Sequence, residues 1–222
     1  LSIPRPAMAE SKCSTVSTLT SPLTNVASNA DDPADFRPIA IMPNLQKLLH
    51  KMIQQQLTPF FTKNPNIISK SQIGYKNNSE RHEGTLSIIS YIYNNNKNKS
   101  SPCYAVFADL RKAFDSISHD DLVQRLKKSL NCDDLATFPI INYILQLYEV
   151  SKLSVKIGNN NSTPFDIITG VRQGDVLSPI FFNLYFNPII EAIQQAVPDC
   201  LVICYADDLV IVTKNEQDFN KA

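Results

Sequence analysis

The sequence predicts an α+β domain, and two kinds of segment support this prediction. Several long stretches have apolar residues at helical spacing, and several short β-rich stretches are joined by turns that contain Gly, Asn or Asp. This mixture of helices and hairpins favours an antiparallel sheet packed on helices over a doubly wound parallel sheet. The chain has 222 residues, 43% of them hydrophobic, which is enough for a substantial core.

The first part of the chain contains an irregular segment and then two helices. Residues 1–34 are rich in Ser, Thr, Asn and Pro, so we expect an extended or poorly ordered segment, with order beginning near Asp35. The spacing of apolar residues from Pro43 onward predicts a helix that Pro59 should end. A second helix is predicted over residues 80–93, before the polar stretch NNNKNKSSP, which we interpret as a solvated loop.

The middle of the chain predicts one strand and two further helices. Residues 104–108 are β-rich and short, as expected for a strand. Ser118 is a suitable N-cap residue for a helix that reaches about Leu130, because its side chain can accept a backbone hydrogen bond. The acidic residues that follow it are typical of the first turn of a helix. Another helix is predicted over residues 138–150.

The stretch SVKIGNNNSTPFDIITG predicts a hairpin around a Gly/Asn loop. Apolar residues of its two arms should face one another: Val155 and Ile157 with Phe165 and Ile167. The apolar stretch SPIFFNLYFNPIIEAIQQA predicts a long helix with Pro179 in its first turn and Pro188 at a position that favours a kink.

The stretch LVICYADDLVIV predicts a strand, a tight turn and a second strand, with Asp207 and Asp208 in the middle of an apolar run. Burying even one unpaired carboxylate costs several kcal/mol, so a solvated turn is the simplest explanation for the pair. However, Asp109 also ends a β-rich apolar run, where capping of the next element is its simplest role. Two such strand ends in one domain raise the hypothesis of a shared site for Mg²⁺, which takes oxygen ligands.

Composition narrows the classes of protein to consider. The 21 acidic and 21 basic residues balance, so any nucleic-acid site must be local and not a basic surface overall. Five cysteines without metal-ligand spacing predict a reduced, intracellular setting. No apolar run reaches the roughly 18 residues of a membrane helix, and no signal-peptide pattern is present, so no membrane partner is expected. The first residue is not Met, which suggests a piece of a longer chain.

Five stretches, in chain order, resemble the blocks of reverse transcriptases, particularly those of non-LTR retrotransposons. They are DFRPIAIMPNLQKLLHKMI, SQIGYKNNSER, AVFADLRKAFDS, GVRQGDVLSPIFFNLY and YADDLVIV. The resemblance implies right-hand polymerase architecture, with a reverse transcriptase domain over residues 35–222 and an N-terminal segment of the fingers over residues 1–34. Within the domain it implies fingers over residues 35–102 and a palm over residues 103–222 that ends before the thumb.

The resemblance also implies a catalytic centre. Asp109, Asp207 and Asp208 match the family's catalytic carboxylates. Together with the backbone carbonyl of Leu110 they would bind two Mg²⁺ ions, for which Mn²⁺ can substitute. In this comparison Asp207 is the metal-binding residue of the YxDD turn, and Asp208 is its required neighbour.

Nucleotide-binding residues follow from the same resemblance. Phe114 matches the ring that crowds the sugar 2′ position and selects deoxynucleotides, although a place in the core would also explain it. Gln173 and Gly174 match the block that contacts the incoming nucleotide and the template. Arg37 matches a finger arginine that holds the triphosphate, with a surface salt bridge as the alternative, and Arg5 stands where the family usually has lysine.

Other polar residues in the matched blocks are expected to be structural. Asp115 and Asp175 are interpreted in this way. His50, His82 and His119 lack the spacing of metal ligands.

The implied function is RNA-directed DNA polymerisation. Deoxynucleoside triphosphates would be added to the 3′-hydroxyl of a DNA or RNA primer on an RNA template, with other domains of the same polyprotein as partners. A target-primed element would act in the nucleus, although the sequence has no clear basic import signal. Alternatives are a group II intron-type or telomerase-like reverse transcriptase, a viral RNA polymerase (disfavoured by Phe114 and the YADD turn), and an inactive relic or fragment that keeps the fold.

Overall fold

The structure is a computed structural model that describes residues 16–22, 36–64, 67–75, 81–96, 102–131, 139–150, 152–157 and 159–221. Within these ranges the chain forms two β-sheets and a set of α-helices. In chain order the elements are β1 (Val16–Pro22), β2 (Phe36–Ile41), α1 (Asn44–Lys63), α2 (Arg81–Asn95), β3 (Tyr104–Asp109), α3 (His119–Ser129), α4 (Pro139–Val150), β4 (Lys152–Ile157), β5 (Asn160–Asn161), β6 (Phe165–Asp166), α5 (Ser178–Ala196), β7 (Leu201–Tyr205), β8 (Asp208–Thr213) and α6 (Glu216–Phe219).

One sheet contains the predicted strand–turn–strand unit. Its order is β3-β8-β7, and both of its pairings are antiparallel. Alternate residues face opposite sides of a strand, and here one face of the sheet joins the main hydrophobic core through Cys204, Leu209 and Ile211. On the other face Phe107 is 74% exposed. Burial raises the pKa of the Cys204 thiol to about 12, so this cysteine is an unreactive core residue.

Helix α5 crosses the centre of this core. Phe181, Phe182 and Ile190 are almost completely buried, which accounts for the apolar sequence of the helix. Pro179 lies in its first turn, as predicted, and the helix continues through Pro188. No helix in the described part of the chain is both long and apolar enough to cross a membrane.

The predictions for α3 are confirmed by its N-terminal cap. Ser118 precedes the helix, and its side chain accepts a hydrogen bond from the backbone N–H of Asp121 at 3.3 Å. Asp120 and Asp121 lie in the first turn, where the helix dipole favours negative charge.

The second sheet has the order β2-β1-β4-β5, with β6 paired to β4. Strand β1 is antiparallel to β2 and parallel to β4. The irregular segment expected over residues 1–34 therefore includes one extended strand, and the rest of that segment, Arg5 included, lies outside the described residues. Because β4 joins the strands near the N-terminus, this sheet draws residues from both sides of the boundary expected at residue 102.

Helix α1 differs from its prediction at the C-terminal end. It continues past Pro59 to Lys63, although proline removes one helical hydrogen bond. Leu57 and Phe61 are 4% and 9% exposed on either side of this proline, and both belong to the main core. Their burial offsets the lost hydrogen bond, so the last turn stays helical.

The hairpin around Val155 forms, but its predicted register is wrong. Phe165 pairs with Leu153 and not with Ile157, and β5 supplies the residues opposite the end of β4. Ser162 explains the difference. Its backbone N–H donates to the Val155 carbonyl at 2.9 Å, and its Oγ accepts from the Val155 N–H at 2.9 Å. Ser162 therefore occupies the position next to Val155 and displaces Phe165 along the strand.

Candidate active site

The two strands of the first sheet bring distant carboxylates together. Asp109 at the end of β3 lies directly opposite Asp208 at the start of β8. Opposed residues of an antiparallel pair share a face, with Cβ atoms about 4.5–5.5 Å apart. Asp109 and Asp208 are exposed, and Asp207 is half-buried in the connecting turn. The structure thus opposes Asp208 to Asp109, whereas the resemblance gave the larger role to Asp207.

The turn itself has an unusual backbone conformation. Ala206 and Asp207 connect β7 to β8, and Ala206 has a φ of 57°. A positive φ at the first residue of a two-residue loop is a property of the turns that join twisted strands. For a residue with a Cβ this conformation costs roughly 1–2 kcal/mol. Ala206 is only 4% exposed, so the surrounding residues determine its position.

The donor set at this edge of the sheet fits a hard divalent cation in its chemistry. Asp109, Asp207 and Asp208 offer carboxylate oxygens, which Mg²⁺ prefers, and the family uses divalent metal ions generally. Leu110 packs against the core, which fixes the backbone beside Asp109. Among the described side chains, however, no group of three His, Cys, Asp or Glu residues already converges on a metal-binding position.

A loop, residues 169–175, packs against the turn that follows β3. The Val171 N–H donates to the Phe114 carbonyl at 2.8 Å, and the Gly170 N–H donates to the Ile117 carbonyl at 2.8 Å. The Gln173 side-chain amide donates to Asp115 Oδ1 at 3.1 Å. The loop therefore holds Gln173 against Asp115, which lies six residues after Asp109 in the sequence, and the contact of Asp115 with Gln173 is a structural one.

The ring of Phe114 belongs partly to the core. It stacks on Phe182 with a centroid distance of 4.8 Å, and Phe182 stacks on Phe186 at 5.6 Å. Phe114 itself is only half-buried. The packing role of Phe114 is therefore observed, and its role at the sugar 2′ position stays a prediction, which its partial exposure permits.

Strand β2 closes the other side of the loop. The Ala40 N–H donates to the Gln173 carbonyl at 2.7 Å. Gly174 has a φ of 98°, and a Cβ atom there would lie 3.2 Å from the Ala40 carbonyl oxygen, so glycine permits this close approach. An open pocket lies beside this contact, and Asp115 and Gln173 are among its lining residues.

The two arginines predicted to bind phosphate lie wholly or partly outside the described part of the chain. The backbone of Arg37 lies in β2, opposite Ser21 of β1. Its side chain and the whole of Arg5 lie outside what the structure describes. Their assignment to the triphosphate remains a prediction.

Behind the loop lies a buried polar cluster that sequence reasoning missed. His50 and Asp175 have fully buried side chains, and His50 Nδ1 lies 2.8 Å from Asp175 Oδ1. A carboxylate accepts hydrogen bonds, so Nδ1 carries the proton, and Nε2 lies 2.9 Å from the Tyr143 hydroxyl. Burial raises the pKa of Tyr143 and lowers that of Arg172, which belongs to the same cluster.

The other two histidines lie outside this pair. His119 Nε2 lies 2.7 Å from the Gly170 carbonyl, and its ring stacks on Tyr148 at 4.3 Å. His82 is exposed on α2. The sequence interpretation of His50 and Asp175 as structural residues agrees with their contacts, although nothing in the sequence indicated that they pair.

A three-stranded antiparallel sheet, packed on helices and carrying opposed carboxylates at its strand ends, is the architecture of a polymerase palm. Residues 27–222 match the family described as reverse transcriptase (RNA-dependent DNA polymerase). The chain belongs to this family.

Comparison with curated proteins places the chain among retrotransposon enzymes. It is 28% identical over 185 residues to a probable RNA-directed DNA polymerase from transposon BS of Drosophila melanogaster, covering 82% of the chain and 20% of that protein. It is 29% identical over 201 residues to a Pol polyprotein of the type-1 retrotransposable element R2 of Popillia japonica, covering 84% of the chain and 26% of that protein. The chain thus spans only about a fifth to slightly more than a quarter of these two relatives, and they support the non-LTR type.

Solved structures support the fold. The apo telomerase of Candida tropicalis aligns with a TM-score of 0.68 at 13% identity, covering 96% of this chain and 42% of that one. A C-terminally truncated form of the same enzyme gives 0.63 at 18% identity, covering 84% and 43%. At these identities the likeness concerns the fold alone. The predictions of an α+β polymerase fold and of the reverse transcriptase family are confirmed.

Proposed function

We propose that this chain is the polymerase core of a non-LTR retrotransposon protein that copies an RNA template into DNA. It adds deoxynucleoside triphosphates to the 3′-hydroxyl of a DNA or RNA primer. The observation that carries the proposal is the register of β3 and β8, which opposes Asp109 to Asp208 within the residues matched to the family. Action in the nucleus belongs to the same proposal.

The chemistry rests on the carboxylates at the strand ends. Asp109, Asp207 and Asp208, with the carbonyl of Leu110, are proposed to hold two Mg²⁺ ions, which Mn²⁺ can replace. Bound ions of this kind activate the attacking hydroxyl and stabilise charge on the departing pyrophosphate. The protein itself contributes a rigid sheet that fixes the spacing of its carboxylates.

The incoming nucleotide is proposed to lie against loop 169–175. Asp115 orients the amide of Gln173, and the absence of a side chain at Gly174 keeps the loop close to β2. Arg37 on β2 and Arg5 are proposed to hold the triphosphate. Fingers over residues 35–102 and a palm over residues 103–222 remain the proposed division for this task.

The balanced charge of the chain is compatible with this function. Template sequence is recognised by base pairing, so the protein needs contacts to the nucleic-acid backbone and shape, not to base edges. Other domains of the same polyprotein are proposed to supply the remaining binding contacts to primer and template.

The proposal predicts metal-dependent primer extension. Full-length protein should extend a DNA primer on an RNA template with all four deoxynucleotides and Mg²⁺. Chelation with EDTA should abolish extension, and added Mg²⁺ or Mn²⁺ should restore it. The measurement is product length on a denaturing gel. A folded full-length protein that extends no primer under any of these conditions would contradict the proposal and favour the inactive relic.

Sugar selectivity should depend on Phe114. In Phe114→Ala the space near the sugar 2′ position opens, so ribonucleotide incorporation should rise by at least about tenfold relative to deoxynucleotide incorporation. The measurement is the ratio of kcat/KM for a ribonucleotide and its deoxynucleotide.

Phe186→Leu provides the matched control for this prediction. It loosens the same aromatic stack, but Phe186 is 3% exposed and lies two rings away from the site. Its selectivity should remain that of the wild type. Unchanged selectivity in Phe114→Ala would leave Phe114 with a packing role alone.

A further inference from the structure

Gln72 makes direct hydrogen bonds to the turn that carries the aspartate pair. Its Oε1 accepts from the Ala206 N–H at 3.1 Å, and its Nε2 donates to the Ala206 carbonyl at 3.2 Å. The same Oε1 also accepts from the Gly74 N–H at 3.0 Å. Gln72 is fully buried, so water does not compete for these bonds. The side-chain amide of Gln72 thus binds both the backbone N–H and the backbone carbonyl of Ala206, the residue before Asp207.

The backbone around Gln72 extends the catalytic sheet. The Ile73 N–H donates to the Cys204 carbonyl at 2.8 Å, and the Cys204 N–H donates to the Ser71 carbonyl at 2.8 Å. These bonds form a parallel bridge between Gln72 and Cys204. The segment that contains Gln72 therefore lies along the edge of β7. The side-chain amide of Gln72 lies beside the turn formed by Ala206 and Asp207.

Helix α5 holds this segment from the other side through buried or half-buried amides. Asn183 Nδ2 donates to the Gly74 carbonyl at 2.9 Å, and Asn187 Oδ1 accepts from the Ser69 N–H at 2.6 Å. Gln194 Nε2 donates to Ser71 Oγ at 2.9 Å. Since α5 crosses the core, these bonds connect the Gln72 segment to the main hydrophobic core.

Gly74 permits the close approach that these bonds need. A Cβ atom at this position would lie 2.4 Å from the backbone nitrogen of Ala206, well inside van der Waals contact. The absence of a side chain lets the segment lie directly on the turn.

The backbone conformation of Ala206 explains why the turn needs this support. A φ of 57° is strained for a residue with a Cβ atom. The two hydrogen bonds from the buried Gln72 side chain favour this conformation and so oppose the strain. Without them the peptide at Ala206 would relax, and the adjacent Asp207 carboxylate would move with it.

We propose that Gln72 is a positioning residue that holds the YADD turn in its active conformation. It acts through the peptide of Ala206 and does not touch substrate. As a role in catalysis, this inference rests on the proposed polymerase function. The two hydrogen bonds between the Gln72 side chain and the Ala206 backbone form a clamp on the turn, and the presence of this clamp can be measured without that function.

The test compares Gln72→Met with Gln194→Met in the full-length protein. Both changes replace an amide by an apolar side chain of similar length in the same network, but Gln194 contacts Ser71 and not the turn. Hydrogen exchange of the Ala206 amide is measured without nucleic acid or metal. Exchange should accelerate at least about tenfold in Gln72→Met, corresponding to about 1.4 kcal/mol. It should change less than about twofold in Gln194→Met, because Asn183 and Asn187 still hold the segment and Gln72 still binds the turn.

Kinetics then report on catalysis. In Gln72→Met, kcat for primer extension should fall by about 10- to 100-fold, because small displacements of reacting groups have effects of this size. The Mg²⁺ concentration for half-maximal activity should rise several-fold as the carboxylates lose their fixed position, while KM for deoxynucleotides stays within about twofold. A loss of stability alone would lower the fraction of folded protein. It would leave kcat per folded molecule and the Mg²⁺ concentration for half-maximal activity unchanged.

The outcomes are distinguishable. Unchanged exchange at Ala206 in Gln72→Met would show that no clamp exists, and faster exchange with unchanged kcat and Mg²⁺ dependence would overturn the positioning role. Wild-type protein that extends no primer would overturn the proposed function, while the exchange result would still decide the clamp. Gln72→Asn, whose shorter amide cannot span the turn, serves if Gln72→Met does not fold. Wild-type exchange and kinetics in that variant would contradict the proposal.

Discussion

Asp109→Asn and Asp207→Asn are each expected to abolish primer extension by the full-length protein, with kcat at least about 1000-fold below wild type. Asparagine has nearly the same shape as aspartate but no charge, so it should leave the strands and the turn intact. What it removes is one of the negative charges proposed to hold the divalent cations. The measurement is single-turnover extension of a DNA primer on an RNA template, with folding verified by circular dichroism.

The register adds a sharper expectation for Asp208. Because Asp208 lies directly opposite Asp109, Asp208→Asn should be as damaging as Asp207→Asn, although the family comparison gave Asp208 the less direct role. Asp166→Asn is the matched control, since its carboxylate is exposed and pairs with Lys152 across β4 and β6 at 3.4 Å. Undiminished extension in Asp207→Asn would remove the metal assignment of the turn. Loss of activity in Asp166→Asn would show that removing any negative charge lowers activity, whether or not the carboxylate lies at the candidate site.

The sequence was sufficient for the parts of the fold that depend on local patterns. The strand–turn–strand around Asp207 was predicted because two apolar β-rich runs flank a short polar turn. Helix α3 was predicted because Ser118 and the acidic first turn form a local N-terminal signal. The reverse transcriptase family was predicted because five blocks occur in the right order.

Other parts depend on contacts between residues that are far apart in sequence. Strand β1 lies in a Ser/Thr-rich segment with no strong strand pattern, and it is held by pairing with β2 and β4. The hairpin register depends on the Ser162 side chain, which competes with the backbone for Val155. The last turn of α1 survives Pro59 because the core retains Phe61.

The residues of the candidate site also divide into those that a local sequence pattern reveals and those that depend on distant contacts. Asp109 and the aspartate pair are visible in the sequence because they interrupt apolar strands. Gln72 gives no such signal, because a buried glutamine can be identified only when its partners are known, and Ala206 is 134 residues away. The pair formed by His50 and Asp175 spans 125 residues and is equally invisible to local reasoning.

This buried pair leads to the largest expected effect on stability. His50→Met keeps the approximate volume of the side chain but removes the hydrogen bond from His50 Nδ1 to the buried Asp175 carboxylate, which keeps the Leu177 N–H as a donor. Breaking a buried pair from one side typically costs about 3–5 kcal/mol, because the remaining charge has lost its compensation. The free energy of unfolding, measured by urea denaturation, should fall by this amount.

Tyr143→Phe is the control for the same cluster. It removes only the hydroxyl beside His50 Nε2, a half-buried group, and should cost no more than about 1.5 kcal/mol. If His50→Met were no more destabilising than Tyr143→Phe, Asp175 would have to find another partner in the core. Arg172, buried in the same cluster, is the residue in position to provide it.

The double variant His50→Leu/Asp175→Leu separates the energy of the pair from the function of the loop. Replacing both members of a buried pair by apolar residues often recovers the stability lost in the single variant. Recovery should be partial here, because the Leu177 N–H donates to Asp175 at 3.1 Å and would lose its acceptor. That bond anchors the end of the loop that carries Gln173. The double variant should therefore regain most of the stability that His50→Met loses, while its KM for deoxynucleotides is higher than that of the wild type. Full recovery of stability together with a wild-type KM would show that the cluster supports the fold without positioning the loop.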